Sequence, residues 1–337
     1  MGEIAAGSLF NFLRTSPLPS APKYAQWEVR MKKTTLFKKY VLDDEILVMP
    51  GVPDALSAII AQNAGFKAVT RGGASGIHIL GKPDLDLATL TELTDWTQKI
   101  VDAVDIPVFA DGDTGHGNVT NVVRTVQLFE KAGAAGLFIE DQVSPKRCGH
   151  TAGKQLISAE EMAAKLIAAV DARKDPDFVI AARIDAIAVE GINGAIDRGN
   201  IYREAGADVI FVEAPESVEQ MRKITSEIDA PHMANIILGA KTPILSPRQL
   251  QEIGYSVAAY PAVSSCIITK ALKDFFEEFQ RTLDYESFSD RMMNFYDFFN
   301  LAGLDKIRDA EERFTDQGKK VAEDYIKRTR PNDKGRS

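Results

Sequence analysis

Eight short apolar runs, at residues 46–50, 68–71, 106–110, 136–140, 178–183, 208–213, 231–235 and 256–261, punctuate this chain at near-regular intervals. Between them lie amphipathic stretches at 54–64, 90–104, 121–132, 159–173, 194–205, 217–228 and 247–253. A run that is apolar throughout suits a strand buried on both faces, and strands joined through helices pair in parallel. Eight such units predict an α/β fold, a closed (β/α)8 barrel of the TIM type. Several helical stretches end in Ala-Gly, at Ala64-Gly65, Ala132-Gly133 and Ala205-Gly206, where glycine takes the left-handed conformation that stops a helix.

The barrel is expected to occupy 32–265. Residues 1–31 lack the ordered basic, apolar and cleavage regions of a secretory signal and read as a flexible N-terminal extension, with Met31 an alternative start. Residues 266–304 read as C-terminal helices. Met292, Phe295, Tyr296, Phe298 and Phe299 crowd one short stretch there, more apolar surface than a barrel flank needs, which points to burial against another subunit. The tail, 305–337, is charged throughout and predicts a solvated helix that frays.

The net charge of −8, with no basic patch, argues against a nucleic-acid partner and for a small-molecule one. No apolar segment approaches the roughly 18–20 residues needed to cross a bilayer, so no membrane partner is expected. The two cysteines, Cys148 and Cys266, lie far apart in different motifs, which argues against a disulfide framework and for a reducing, cytoplasmic compartment.

Polar residues concentrate where the runs end: Gly72 and Gly73, Asp111 and Asp113, Glu140, Arg183, Glu213, Asn235. In a parallel barrel these ends share one rim, so their side chains should meet. Asp111 and Asp113, two apart, would point to the same side of an extended backbone and suit a metal clamp, with Glu140 contributing directly or through water. A cluster of carboxylates repels itself without a cation, and hard oxygen donors suit Mg²⁺, with Mn²⁺ an alternative. Asp84 is either an outer metal ligand or a turn former after Pro83. Arg183 either grips a planar carboxylate or neutralises the acids.

Cys148 sits in Lys146-Arg147-Cys148-Gly149-His150, where three cationic or titratable groups surround one thiol. Such neighbours lower a thiol's pKa and fit it for acid/base work, with nucleophilic attack the other option. Gly149 lets the segment bend, and PKRCGHTAGK reads as a lid over a substrate. His116 and His78 are weaker candidates, and His232 reads as a packing residue.

FADGDTGHGN, EDQVSPKRCGH and AARIDA together resemble the isocitrate lyase and phosphoenolpyruvate mutase superfamily, over roughly residues 34–301. KRCGH points to its lyase branch, and the chain is most similar to the short members of the 2-methylisocitrate lyase and 2,3-dimethylmalate lyase type. The resemblance implies a Mg²⁺-dependent (β/α)8 barrel assembled as a homotetramer, a dimer of dimers in which a C-terminal helix is exchanged between neighbours. It implies that Asp113 binds the metal with Asp111, Asp84 and Glu140 in its hydration shell. Cys148 becomes the catalytic acid/base, beside Lys146 and His150. Arg183, Glu213 and Asn235 would hold substrate, and the Gly72 and Gly73 amides would receive a carboxylate. The family commonly has a serine before these glycines; here Arg71 stands close by and takes that part.

The implied reaction is cleavage of a 2-hydroxy di- or tricarboxylate to a 2-oxo acid such as pyruvate and a second carboxylate. Two rivals share the fold. One is hydrolysis of oxaloacetate, assisted by Ser264 or Ser265, and the other is phosphonomutase chemistry on carboxyphosphonoenolpyruvate. A non-catalytic binding protein is disfavoured, because it has no use for an acid/base thiol.

Overall fold

Eight parallel strands form where the apolar runs lie: β1 (Leu47–Pro50), β2 (Val69–Arg71), β3 (Val108–Asp111), β4 (Gly136–Glu140), β5 (Val179–Ile184), β6 (Val209–Val212), β7 (Met233–Asn235) and β8 (Val257–Tyr260). The computed structural model describes residues 31–147, 149 and 153–330. The chain divides into units 1–32 and 33–337, and the barrel lies in the second. Strands β2 to β6 pair in sequence order, and β1, β8 and β7 form a second sheet in that order. Single parallel bridges, Gly51 to Thr70 and Ile210 to His232, join the two sheets at both edges and close the barrel.

The side-chain period of two within each strand sorts residues between two cores. On β5, Val179 and Ala181 belong to the inner core with Leu47, Met49, Phe109, Phe138, Val209, Phe211 and Met233. Ile180, Ala182 and Ile184 belong to the outer core, where the helices pack. The same parity sends Asp111, Glu140 and Arg183 inward at the top of their strands, one layer above Phe109, Phe138 and Ala181. Register completes the layer by setting Glu140 opposite Arg183 and Arg183 opposite Phe211. Phe138 meets Phe211 edge-on at 5.6 Å between centroids and Phe109 at 6.2 Å, so aromatic rings fill the lumen beneath the polar layer.

The helices around the wall are α2 (Ala55–Asn63), α3 (Ala74–Leu80), α4 (Leu90–Ala103), α5 (Val119–Lys131), α6 (Ala159–Ala172), α7 (Ile187–Glu204), α8 (Val218–Glu227) and α9 (Pro247–Ile253). Side-chain caps start most of them: Asp54, Thr89, Asn118, Ser158, Ser217 and Ser246 each accept from a first-turn amide. Helix α7 begins seven residues before the periodicity at 194 announces it, because Gly191 breaks the helical backbone and the pattern restarts beyond it. Helix α3 falls in a stretch too short and glycine-rich to show a period. A further helix, α1 (Lys33–Val41), closes the N-terminal mouth. Its Phe37 stacks on Phe109 at 5.2 Å, and Lys33 Nζ donates to the Val101 and Val104 carbonyls at 2.8 and 2.6 Å. Burying Phe37 contributes about 1.5–3 kcal/mol.

Beyond the barrel run α10 (Val263–Thr282), a 3-10 turn at Glu286–Arg291, α11 (Phe295–Leu301) and α12 (Leu304–Thr329). Helix α12 carries regular structure through most of the charged tail. Neither α11 nor α12 buries a residue among the described part of the chain, and Phe295 and Tyr296 stand 66% and 70% exposed. Among the described residues no helix is long and apolar enough to cross a membrane.

Candidate active site

A cavity of 350 Å³ opens at the C-terminal ends of the strands. Its wall includes Gly72, Gly73, Asp84, Asp111, Gly149, Arg183, Glu213 and Asn235, residues from six strand ends or the loops that follow them. Asp113, Glu140 and Lys146 are buried directly behind that wall. The described lyase, substrate-binding and metal residues the sequence nominated are therefore in this region, whereas Arg71, Ser264 and Ser265 do not line the cavity. Cys148 and His150 lie outside the described residues, although their neighbours Lys146 and Gly149 are both buried here.

Asp111 and Asp113 come together by a route other than a shared strand face. Strand β3 ends at Asp111, the chain turns at Gly112, and Asp113 adopts a left-handed backbone with φ 47°. Asp111 Oδ1 accepts from the Asp113 amide at 2.9 Å, while its Oδ2 accepts from the Gly73 amide at 3.0 Å. The Gly73 amide thus orients a carboxylate of the protein. Gly73 is required there, since a Cβ would lie 2.3 Å from Asp84 Oδ2. Arg71 is wholly buried, and its Nη2 donates to the Asp111 carbonyl from behind the cluster, away from the cavity wall.

Lys146 is the cation among these acids. Its Nζ lies 2.7 Å from Asp84 Oδ1 and 2.9 Å from Asp113 Oδ1, with the side chain 2% exposed. Burial works to lower its pKa, but Asp113, Asp111, Glu140 and Asp84 outweigh burial and hold it well above the ordinary lysine range. Desolvation dominates at Asp113 and pushes its carboxyl up to about 6, against the pull of Lys146. At Asp111 the nearby Lys146, Arg71 and Arg183 overcome the same desolvation, and its pKa falls.

Glu140 is fully buried, and neither of its carboxylate oxygens has a hydrogen-bond partner among the described residues. Arg183 Nε lies 3.4 Å from Oε2, an ion-pair distance without hydrogen-bond geometry. Burial raises the Glu140 pKa well above its ordinary value. Buried carboxylate oxygens are rarely left unsatisfied, so these two call for a partner beyond the described residues.

Arg183 lies over the rings of Phe138 and Phe211, at 5.7 and 5.4 Å from their centroids. It donates through Nε and Nη2 to Asp185 at 2.9 and 3.3 Å. Asp185 also accepts from Lys154 at 3.0 Å, and Lys154 donates to the Gly149 carbonyl at 2.5 Å. Arg183 thus neutralises acids of the protein, and it also lines the cavity. Across the cavity, Asn235 Nδ2 donates to the Glu213 carboxylate at 3.2 and 3.3 Å.

Sequence reasoning missed Asp86 and ranked His116 only as a weaker candidate. A carboxylate oxygen of Asp86, one of Asp113 and a ring nitrogen of His116 lie within 4.8 Å of one another, a grouping that could hold a cation. Asp86, Asp113 and His116 all have positive φ, at 61°, 47° and 59°, and such strain collects at functional sites. The alternation Asp84-Leu85-Asp86 was the available signal for Asp86. His232 packs as expected, buried against Tyr255 with Nε2 2.9 Å from the Ile228 carbonyl.

Comparisons with known proteins agree with this geometry. A family model described as phosphoenolpyruvate phosphomutase matches residues 37–280. The 2,3-dimethylmalate lyase of Eubacterium barkeri is 42% identical over 286 residues, covering 84% of this chain and 99% of the relative. The 2-methylisocitrate lyase of Aeropyrum pernix is 40% identical, covering 83% and 89%. The chloroplastic carboxyvinyl-carboxyphosphonate phosphorylmutase of Arabidopsis thaliana is also 40% identical, covering 83% and 84%. Among solved structures, a 2,3-dimethylmalate lyase superposes with a TM-score of 0.78 at 31% identity, covering 84% of this chain and 96% of the other. A phosphonopyruvate hydrolase in complex with oxalate and Mg²⁺ superposes with a TM-score of 0.77 at 25% identity, covering 85% and 100%. With the barrel, the acidic rim and these matches in agreement, the chain belongs to the phosphoenolpyruvate mutase and isocitrate lyase superfamily.

Proposed function

We propose that this chain is a metal-dependent carbon–carbon lyase that cleaves a 2-hydroxy di- or tricarboxylate to a 2-oxo acid such as pyruvate and a second carboxylate. The observation that carries the proposal is the buried carboxylate of Glu140, whose oxygens accept no hydrogen bond among the described residues, gathered with Asp84, Asp111 and Asp113 at the end of a cavity that also presents Arg183. This all-oxygen donor set fits Mg²⁺, with Mn²⁺ acceptable, and Asp113 would be its direct ligand. When bound, the ion supplies positive charge that stabilises a developing oxyanion at C2. Arg183 binds a substrate carboxylate, with Asn235, Glu213 and the Gly72 backbone completing the cradle. As the C2–C3 bond breaks, the 2-hydroxyl passes its proton to solvent, C2 becomes a carbonyl carbon and the electron pair moves to C3. The Cys148 thiol then protonates C3, with Lys146 and His150 beside it. Oxaloacetate hydrolysis is the weaker reading, because Pro261 and Ala262, not Ser264 or Ser265, line the cavity after β8.

The test is Cys148→Ser, assayed for 2-oxo acid release and for ligand binding. Turnover should fall by two or more orders of magnitude with binding nearly intact, and an unchanged rate removes Cys148 from the reaction. We propose further that the exposed aromatic faces of α10 to α12 pack against a second copy of the chain within a homotetramer. Light scattering after size exclusion should give four times the chain's 36.9 kDa.

A further inference from the structure

Asp113, the proposed direct ligand of the cation, belongs to a turn whose backbone is largely left-handed. Asp113, Gly115, His116 and Gly117 take positive φ, at 47°, 82°, 59° and 141°, with buried Thr114 between the first two. A residue other than glycine keeps such a conformation only where its surroundings hold it. Here four successive carbonyls each receive a donor. The Gly112 carbonyl accepts from the Gly115 amide at 3.0 Å, and that of Asp113 from the Glu140 amide at 2.9 Å. The Thr114 carbonyl accepts from Lys165 Nζ at 3.2 Å, and that of Gly115 from Thr125 Oγ1 at 3.1 Å. The turn is also pressed onto α5, since a Cβ at Gly115 would lie 2.5 Å from Val122 Cγ2. Of these donors, Lys165 is the one whose placement folding alone does not explain. It stands on the core-facing stripe of α6 with Met162, Leu166, Ala169 and Ala172, and is 4% exposed. A methionine would suit that stripe better, because burying an ammonium costs more than one hydrogen bond to a neutral carbonyl returns.

We propose that Lys165 is a positioning residue for the cation site: from α6 it holds the Thr114 carbonyl, so that the turn stays fixed and Asp113 keeps its carboxylate aimed at the ion. This rests on the metal-dependent reading and adds to it a residue outside the cavity wall. The experiment titrates metal-free wild type, Lys165→Met and Lys165→Arg with Mg²⁺ in a calorimeter and follows thermal unfolding of the same samples. Lys165→Met should bind Mg²⁺ at least ~10-fold more weakly than the wild type. Its Tm should stay within about 5 °C, because the lost tether is offset by removal of a buried charge. Lys165→Arg, which keeps a donor on a long stem, should recover affinity to within ~3-fold of the wild type. A smaller loss in Lys165→Met, or a loss that Lys165→Arg does not repair, overturns the inference and leaves the metal reading standing. A Lys165→Met chain that fails to fold, or whose Tm falls further than this, assigns Lys165 to the packing of the barrel and overturns it as well. Failure of the wild type to take up Mg²⁺ overturns both.

Discussion

Gly149→Ala should disable the enzyme while leaving its barrel folded. A Cβ at position 149 would lie 2.3 Å from Arg183 Nη2, 2.5 Å from Glu213 Cγ and 3.0 Å from Asp185 Oδ1. Reaching van der Waals distance requires a retreat of about 1 Å. Arg183 cannot supply it, being held by Asp185 and packed over Phe138 and Phe211. The backbone at 149 must lift instead, moving that part of the cavity wall. A misplacement of about 1 Å costs on the order of 100-fold in rate, or ~2.7 kcal/mol in the barrier. The assay is 2-oxo acid release by a coupled dehydrogenase, alongside thermal unfolding. The expected result is kcat reduced about 100-fold with Tm moved by no more than about 3 °C. A variant within threefold of wild-type kcat refutes the claim that residue 149 must lie against Arg183 for turnover.

Other consequences follow from the buried charges. Lys146→Met removes the ammonium shared by Asp84 and Asp113, and urea titration of the metal-free protein should show a loss of roughly 3–5 kcal/mol; a change below about 1 kcal/mol contradicts the ion pair's burial. Burial pushes Asp141 up to about 6 from an ordinary 3.8, although it accepts from the Asp185 amide, Arg198 and Tyr202. Across that window the native state keeps a proton that the unfolded chain has lost, so this residue's contribution falls as pH rises from about 4 to 6. Asp141→Asn should flatten that part of the stability profile, and an unaltered slope counts against the assignment. His232 has the opposite sign: burial lowers its pKa, so stability is lost as pH falls below 6.5, and His232→Phe should lessen that acid sensitivity.

The barrel was legible because each strand is buried on both faces and therefore apolar throughout, as in Val179–Ile184 and Val209–Val212. The convergence of Asp111, Glu140 and Arg183 was legible for the same reason, since a polar residue ending such a run has only the rim to occupy. What the sequence concealed depends on tertiary geometry. The pairing of Asp111 with Asp113 comes from a left-handed turn rather than strand parity. Asp86 and His116 reach Asp113 across loops, and no local period encodes that meeting. Lys146 sits between Asp84 and Asp113, 62 and 33 residues away in sequence, in a contact that sequence proximity to Cys148 does not reveal. Lys154 reaches Asp185 and the Gly149 carbonyl in the same way. Helix α1 went unread because only Phe37 and Val41 on it are buried, too few to make a stripe.

Calorimetric titration of the metal-free protein with Mg²⁺ tests the central claim most directly, with wild type set beside Asp113→Asn and Glu140→Gln. Convergence of these carboxylates on one divalent ion predicts a single site per chain, weakened at least ~10-fold by either substitution. Absence of Mg²⁺ uptake by the wild type, or equal affinity in all three proteins, would contradict it.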